Sequence, residues 1–221
     1  MKTDWDNPKY DNGIAFLDML FNYLLAFAML FMLALMLIRP PTPTDAAVKL
    51  RAEFVLTMTW PDAAFDDIDM WLMMPDGRKV NYINRDVDFV TLDRDDRGAK
   101  NDFYTDGAGQ RQLTKMNREI ITIRAIVPGR YIVAAHVYAV QKEVIDDSGK
   151  TWLADTQLPY PALLEIIKLN PRVIEVLKST VMLSESGQEV VFAAFDVDAA
   201  GNVTMVELNP TKYKIVEFTG L

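Results

Sequence analysis

One stretch limits what this chain can fold into more than any other. Gly13 to Ile38 reads GIAFLDMLFNYLLAFAMLFMLALMLI. From Ile14 to Ile38 its one charged residue is Asp18. A helix over these residues runs about 37 Å, enough to cross a hydrocarbon core of about 30 Å with some tilt. A soluble helix of that length needs a polar face, and here the polar side chains are Asp18, Asn22 and Tyr23, all near the N-terminal end. The stretch therefore reads as a single membrane-spanning helix over residues 14–38. A charged Asp inside a bilayer costs roughly 2.5–3.5 kcal/mol on the most lenient scale. Asp18 and Asn22 are four apart and share one helix face. Either Asp18 reaches water at the headgroup boundary, about 6 Å from the start of the span, or its side is met by a protein wall or a file of water.

The run Phe16-Leu17-Asp18-Met19-Leu20, followed by an unbroken apolar helix, resembles the N-terminal segment of the ExbD/TolR/MotB group. These are single-span subunits of proton- or sodium-driven motor and energy-transducing complexes. The resemblance covers residues 7 to 44 and implies a short cytoplasmic N-terminus, one span and a periplasmic domain. It also implies a homodimer inside a pentameric multi-span partner like MotA, TolQ or ExbB, with Asp18 as the ion-carrying carboxylate and Asn22 beside it.

Residues 1–13 are polar and carry both charge signs, and Trp5 and Tyr10 suit a membrane interface. Lys2 and Lys9, set among Asp4, Asp6 and Asp11, make a poor signal-peptide start, so the span is expected to be kept as an anchor. Lysine and arginine flank it on both sides, so the resemblance rather than the charge rule puts the N-terminus in the cytoplasm of a bacterial cell, at the inner membrane. Arg39 closes the span. Pro40-Pro41-Thr42-Pro43-Thr44 then predicts an extended strut of about 15 Å within a linker over residues 39–47.

Beyond the linker the pattern alternates with period two and is rich in β-branched and aromatic residues. Val48 to Trp60 is expected as a strand with Phe54, Leu56 and Met58 on one face. Asp66 to Met74 is a second, closed by the turn Pro75-Asp76-Gly77 and answered by a hairpin partner over Lys79 to Asn84. Phe89 to Leu92 is a short strand. Asp93 to Gln112 is expected as a long exposed loop. Arg118 to Val127 and Tyr131 to Val140, separated by Pro128-Gly129, read as another hairpin. From Tyr160, strands are favoured over helices across the break at Asn170-Pro171. Val190 to Val197 with Val203 to Leu208 forms a hairpin, and Tyr213 to Phe218 a last strand. The fold class is thus one N-terminal transmembrane helix followed by a mainly-β soluble region: a β-sandwich over 48–145, and a second β-rich unit or an extension of that sandwich over 146–221. The string from Trp60 through Asp69, Pro75 and Gly77 to Asp93 resembles a bacterial β-sandwich family of unknown function.

Composition narrows the chemistry. The chain carries 31 acids against 23 bases, a formal charge of −8. That argues against nucleic acid and anionic lipid as electrostatic partners. There is no cysteine, hence no disulfide framework or thiol chemistry. Two acidic turns stand out, Asp66-Asp67-x-Asp69 and Asp93-x-Asp95-Asp96. Calcium at Asp66, Asp69, Asp93 and Asp95 is weighed against a solvated acidic edge, and the edge is preferred because neither turn has the glycine and terminal glutamate of an EF-hand loop. His136 sits mid-strand and reads as a packed structural histidine. No nucleophile elbow, phosphate loop or dinucleotide fingerprint is present, so no enzyme is expected and no cofactor beyond a coupling proton or sodium ion.

The leading expectation is a stator-type ion-channel subunit of a motor driven by the proton motive force. Asp18 carries the ion, the proline strut passes force, and the β domain engages an envelope component. The alternative is a membrane-tethered periplasmic binding module without transport activity.

Overall fold

The computed structural model describes residues 11–37 and 51–216. The expected linker, the interfacial Trp5 and Tyr10, and the start of the first strand lie outside these residues. The chain divides into two units, one holding the helix and one running from Leu50 to the end. The first is the uninterrupted helix α1 (Asp11–Leu37). No proline breaks it, and every described side chain from residue 13 to 36 is exposed. One N-terminal apolar helix, long enough to cross a membrane, is therefore followed by a mostly-β region.

In chain order the second unit holds β1 (Phe54–Thr59), β2 (Asp67–Met73), β3 (Lys79–Val80), β4 (Asp86–Val87) and β5 (Val90–Arg94). A short 3-10 turn, η1 (Gly98–Asn101), precedes β6 (Phe103–Thr105), β7 (Arg111–Leu113), β8 (Arg118–Ile123) and β9 (Gly129–Ala139). There follow β10 (Glu143–Ile145), β11 (Thr151–Leu153), β12 (Tyr160–Lys168), β13 (Ile174–Leu183), β14 (Glu189–Val197) and β15 (Val203–Leu208). One sheet has the order β13-β12-β1-β8-β5-β4 and the other β15-β14-β9-β2-β3; β6–β7 and β10–β11 are separate hairpins. The two sheets do not close into a barrel. The expected second β-rich segment supplies strands to both, so it extends the sandwich.

The core follows from the alternation. Phe54, Leu56 and Met58 of β1 are buried and the residues between them are not. They meet Ile121 and Ile123 of β8 and Leu164 and Ile166 of β12 on one side of the core, and Met70, Leu72, Val133, Phe192 and Phe195 of the facing sheet on the other. The five-stranded sheet is covered on its outer face too. There Trp71, Ile132, Ala134, Val191 and Ala194 pack under Ile215, with Tyr82, Tyr213 and Val216 beside them. This double burial explains why β2 is apolar at consecutive positions instead of alternating.

Several expectations are corrected. Residues 118–127 and 131–140 do not form a hairpin: β8 and β9 belong to different sheets, and the Pro128-Gly129 corner carries the chain across the sandwich. Gly129 has φ +130°, and a Cβ there would lie 2.6 Å from that of Pro75. A turn signal alone does not distinguish a hairpin from such a corner. The partner of β2 is only two residues long, because the Asn81 side-chain oxygen accepts the N–H groups of Ile83 and Asn84 and turns the chain away. Residues 93–112 are only in part the expected exposed loop: 107–110 are exposed, but the segment holds η1 and the β6–β7 hairpin, and Asp96, Gly98, Ala99 and Asp102 are buried. Residues 213–216 form no strand, and 217–218 lie outside the described residues. Strands after Tyr160 and the β14–β15 hairpin are as expected.

Leu72 is fully buried between the two sheets. Leu72→Ala is expected to destabilise the β unit by about 2–5 kcal/mol, read from the urea midpoint followed by tryptophan fluorescence, whereas Thr57→Ala shifts it by less than about 1 kcal/mol.

Candidate functional site

The short β3 leaves the first half of β2 without a strand neighbour on that side. A side chain fills the gap. Met70 N–H donates to Glu119 Oε2 at 2.5 Å, and Asp96 N–H donates to Glu119 Oε1 at 3.3 Å. Glu119 is in phase with Ile121 and Ile123 on β8, so the strand aims it inward, and it is 0 % exposed. Around it gather Asp69 from β2 and Asp95 from the turn after β5. One carboxylate oxygen from each of Asp69, Asp95 and Glu119 lies within 4.8 Å of the other two.

Asp69 and Asp95, with Asp67, line a cavity of about 310 Å³, and Glu119 lies buried behind them. Tyr82 and Tyr138 contribute aromatic walls, and Arg97 and Lys100 stand at its rim. Asp67 is 5 % exposed. No hydrogen bond or ion pair to its carboxylate is found among the described residues. Asp69 lies opposite His136 in the β2–β9 register, with Oδ2 at 3.5 Å from Nδ1 of that buried ring. Arg85 approaches Asp95 at 3.8 Å from a half-exposed position, a contact of little energetic weight.

Burial disfavours charge, and like charges reinforce it. Burial first, then Asp69 and Asp95, push the Asp67 carboxyl up to about 7, against the pull of Lys100 and Arg97. Burial also raises Asp69, with the His136 hydrogen bond opposing. Glu119 is raised well above the usual carboxylate range by burial and then by Asp69, although two backbone N–H groups favour its anion. Such a cluster is neutralised either by protons or by a cation held among its oxygens. Hard cations such as calcium take oxygen ligands of this kind.

The acids named from the sequence divide into two sets. Asp69 and Asp95 enter the site. Asp66 does not: its Oδ1 accepts the Gln141 N–H and its Oδ2 the Tyr160 hydroxyl, so it is a structural tie. Asp93 accepts the Thr122 hydroxyl and meets Arg124 at 2.9 Å on the outer face of its sheet. Asp96 accepts the Gly98 and Arg118 N–H groups. Strand period two separates Asp66 from Asp67 and Asp69. The register shift between Leu92 and Arg94 separates Asp93 from Asp95. Glu119 was missed, and its signal was an acid in phase with the core-facing isoleucines of its own strand. His136 is buried, as a packed histidine should be. Asp18 and Asn22 lie exposed on α1.

No known protein family matches the sequence, and no curated protein does. Among solved structures, the chain is similar to a homologue of the telluride resistance protein TerD from Streptomyces coelicolor, at 16 % identity and a TM-score of 0.39. The similarity covers 72 % of this chain and 89 % of that one, and assigns no activity.

The raised groups set the pH dependence of stability. Asp67, and Asp102 with burial and then Asp96 raising it, are both held near 7. Between about pH 4 and pH 7 the folded chain keeps protons that the unfolded chain has released, so stability falls as pH rises through that window. In metal-free buffer the melting temperature of the β unit is expected to be higher at pH 5 than at pH 8, followed by circular dichroism. Asp67→Asn should raise the pH 8 value and flatten the slope.

Proposed function

We propose that this chain is a membrane-anchored β-sandwich module that binds a hard divalent cation, calcium foremost, through Asp69, Asp95 and Glu119 with Asp67 beside them. The observation that carries this reading is Asp67 itself. A carboxylate 5 % exposed, facing a cavity, with no donor among the described residues and three more carboxylates nearby, is a costly arrangement unless a cation completes it. The exposed apolar surface of α1 supports the anchor, since lipid or another apolar helix would cover it. In this reading α1 crosses the bacterial inner membrane with its N-terminus in the cytoplasm, and the sandwich recognises an envelope component with the cation in place. Calcium accepts six to eight oxygens in irregular geometry, whereas magnesium demands a near-ideal octahedron and gives up water reluctantly. A cluster drawn from a strand, a turn and a facing strand suits the first better. The full-length chain in detergent micelles is expected to bind one calcium ion by titration calorimetry, more tightly than magnesium. Asp69→Asn and Asp95→Asn should each weaken binding about 10-fold or more, and Asp93→Asn should leave it unchanged. Absence of both binding heat and any rise in melting temperature at millimolar calcium overturns the reading.

A second reading keeps Asp18 as an ion carrier in a stator of the ExbD/TolR/MotB kind. It is favoured by the uninterrupted course of α1 through Asp18 and Asn22, which places an acid and an amide on one face of an otherwise apolar helix. Two copies would sit inside a pentamer of a multi-span protein. Protonation would let the helix pass an apolar wall, and release of the proton would hold it to a polar one. Asp18→Asn is then expected to abolish ion-driven activity while native mass spectrometry still shows the assembled complex. Full activity in that variant rules the stator out.

A further inference from the structure

We infer that the cavity holds its cation together with an anionic second ligand, a phosphate or carboxylate group bound to the metal on one side and to Arg97 and Lys100 on the other. This rests on the cation reading above and adds to it what the remaining space is for.

Three observations carry it. The first is size. A cavity of about 310 Å³ is far larger than a bare cation and has the volume of about ten waters. One oxygen from each of Asp69, Asp95 and Glu119 leaves several of the six to eight calcium positions to be filled from the cavity. The second is charge. Arg97 and Lys100 line the same cavity as Asp67, Asp69 and Asp95, yet neither forms an ion pair with a carboxylate among the described residues. They are near enough to favour the Asp67 anion and too far to bind it. Two cationic heads beside open metal positions favour an anionic oxygen over water, and a guanidinium offers paired donors to phosphate or carboxylate.

The third is how these heads are held. Gly98 has φ +61°, and a Cβ at this position would come within 2.3 Å of the Phe65 carbonyl oxygen. That approach, with Ala99 N–H donating to the same oxygen at 3.4 Å, seats η1 against the segment leading into β2. The Asp96 carboxylate and the Asn101 side chain accept the Gly98 and Arg97 N–H groups and close the turn. Arg97 and Lys100 are thus carried on a backbone that is packed and hydrogen-bonded. Tyr82 and Tyr138, ring centroids 5.4 Å apart, line the same cavity and suit the organic part of such a ligand.

The test is calcium titration of the full-length chain in nanodiscs of neutral lipid, with and without glycerol 3-phosphate. Binding of the two is reciprocal, so the anion should tighten calcium binding, by about 5-fold or more. In the Arg97→Ala/Lys100→Ala variant that enhancement should vanish, while calcium alone binds as tightly as before or tighter, because two positive charges have left the site. That combination separates an anion site from simple unfolding, which would weaken both. Enhancement by glycerol 3-phosphate in neutral discs identifies a soluble anion. Enhancement only when the discs contain phosphatidic acid identifies a lipid headgroup, and either supports the inference. Calcium binding that is indifferent to both overturns this inference and leaves the cation reading standing. No calcium binding at all overturns both.

Discussion

The contact on which the acidic end of the sandwich depends is that of Glu119 with the edge of β2. A strand three residues longer at β3 would have paired with Met70 and sealed that edge. Instead a carboxylate from the facing sheet accepts the Met70 N–H and, with its other oxygen, the Asp96 N–H beyond β5. One side chain therefore ties both sheets and the turn that carries Asp95. A buried carboxylate is a poor structural tie by itself, since desolvation works against its charge. Placing it within reach of two further acids makes the arrangement worse unless something positive joins them.

The rest of that end makes sense as a response to this strain. Acids that are not needed there are satisfied elsewhere: Asp66 by Gln141 and Tyr160, Asp96 by two backbone N–H groups and Arg94, Asp146 by Ser148 and Trp152. Asp67 has no donor among the described residues. Buried polar groups in native proteins are nearly always paired, which is why the cation proposed above is placed beside Asp67. The raised carboxyl groups and the cation and anion proposed for this cavity all trace to one local imbalance of charge.

The helix and the sandwich follow different physics. In α1 the described side chains from residue 13 to 36 are exposed and almost all apolar. In the β unit the long strands β1, β8, β12, β13 and β14 hide at least one face and β2 hides both, whereas β4, β6, β7, β10, β11 and β15 have no buried residue.

The amino-acid sequence by itself determined the apolar helix, the alternating strands β1, β8, β12 and β14, and the hairpin turns at Gly77 and Gly201. Each depends on a period or a turn residue, and those are local properties of the chain. It also showed the two acidic turns, Asp66-Asp67-x-Asp69 and Asp93-x-Asp95-Asp96, as clusters. Only the tertiary structure decided which acids meet. Asp95 joins Asp69 because the ladder shifts register after Leu92, and Asp93 is thereby turned toward Thr122 and Arg124. Glu119, 49 residues from its partner Met70, enters because β8 lies in the facing sheet and not in a hairpin with β9. The turn at Pro128-Gly129 permits either route. The choice between them was made by where β8 and β9 could bury their apolar faces, a property of the whole core and not of the turn.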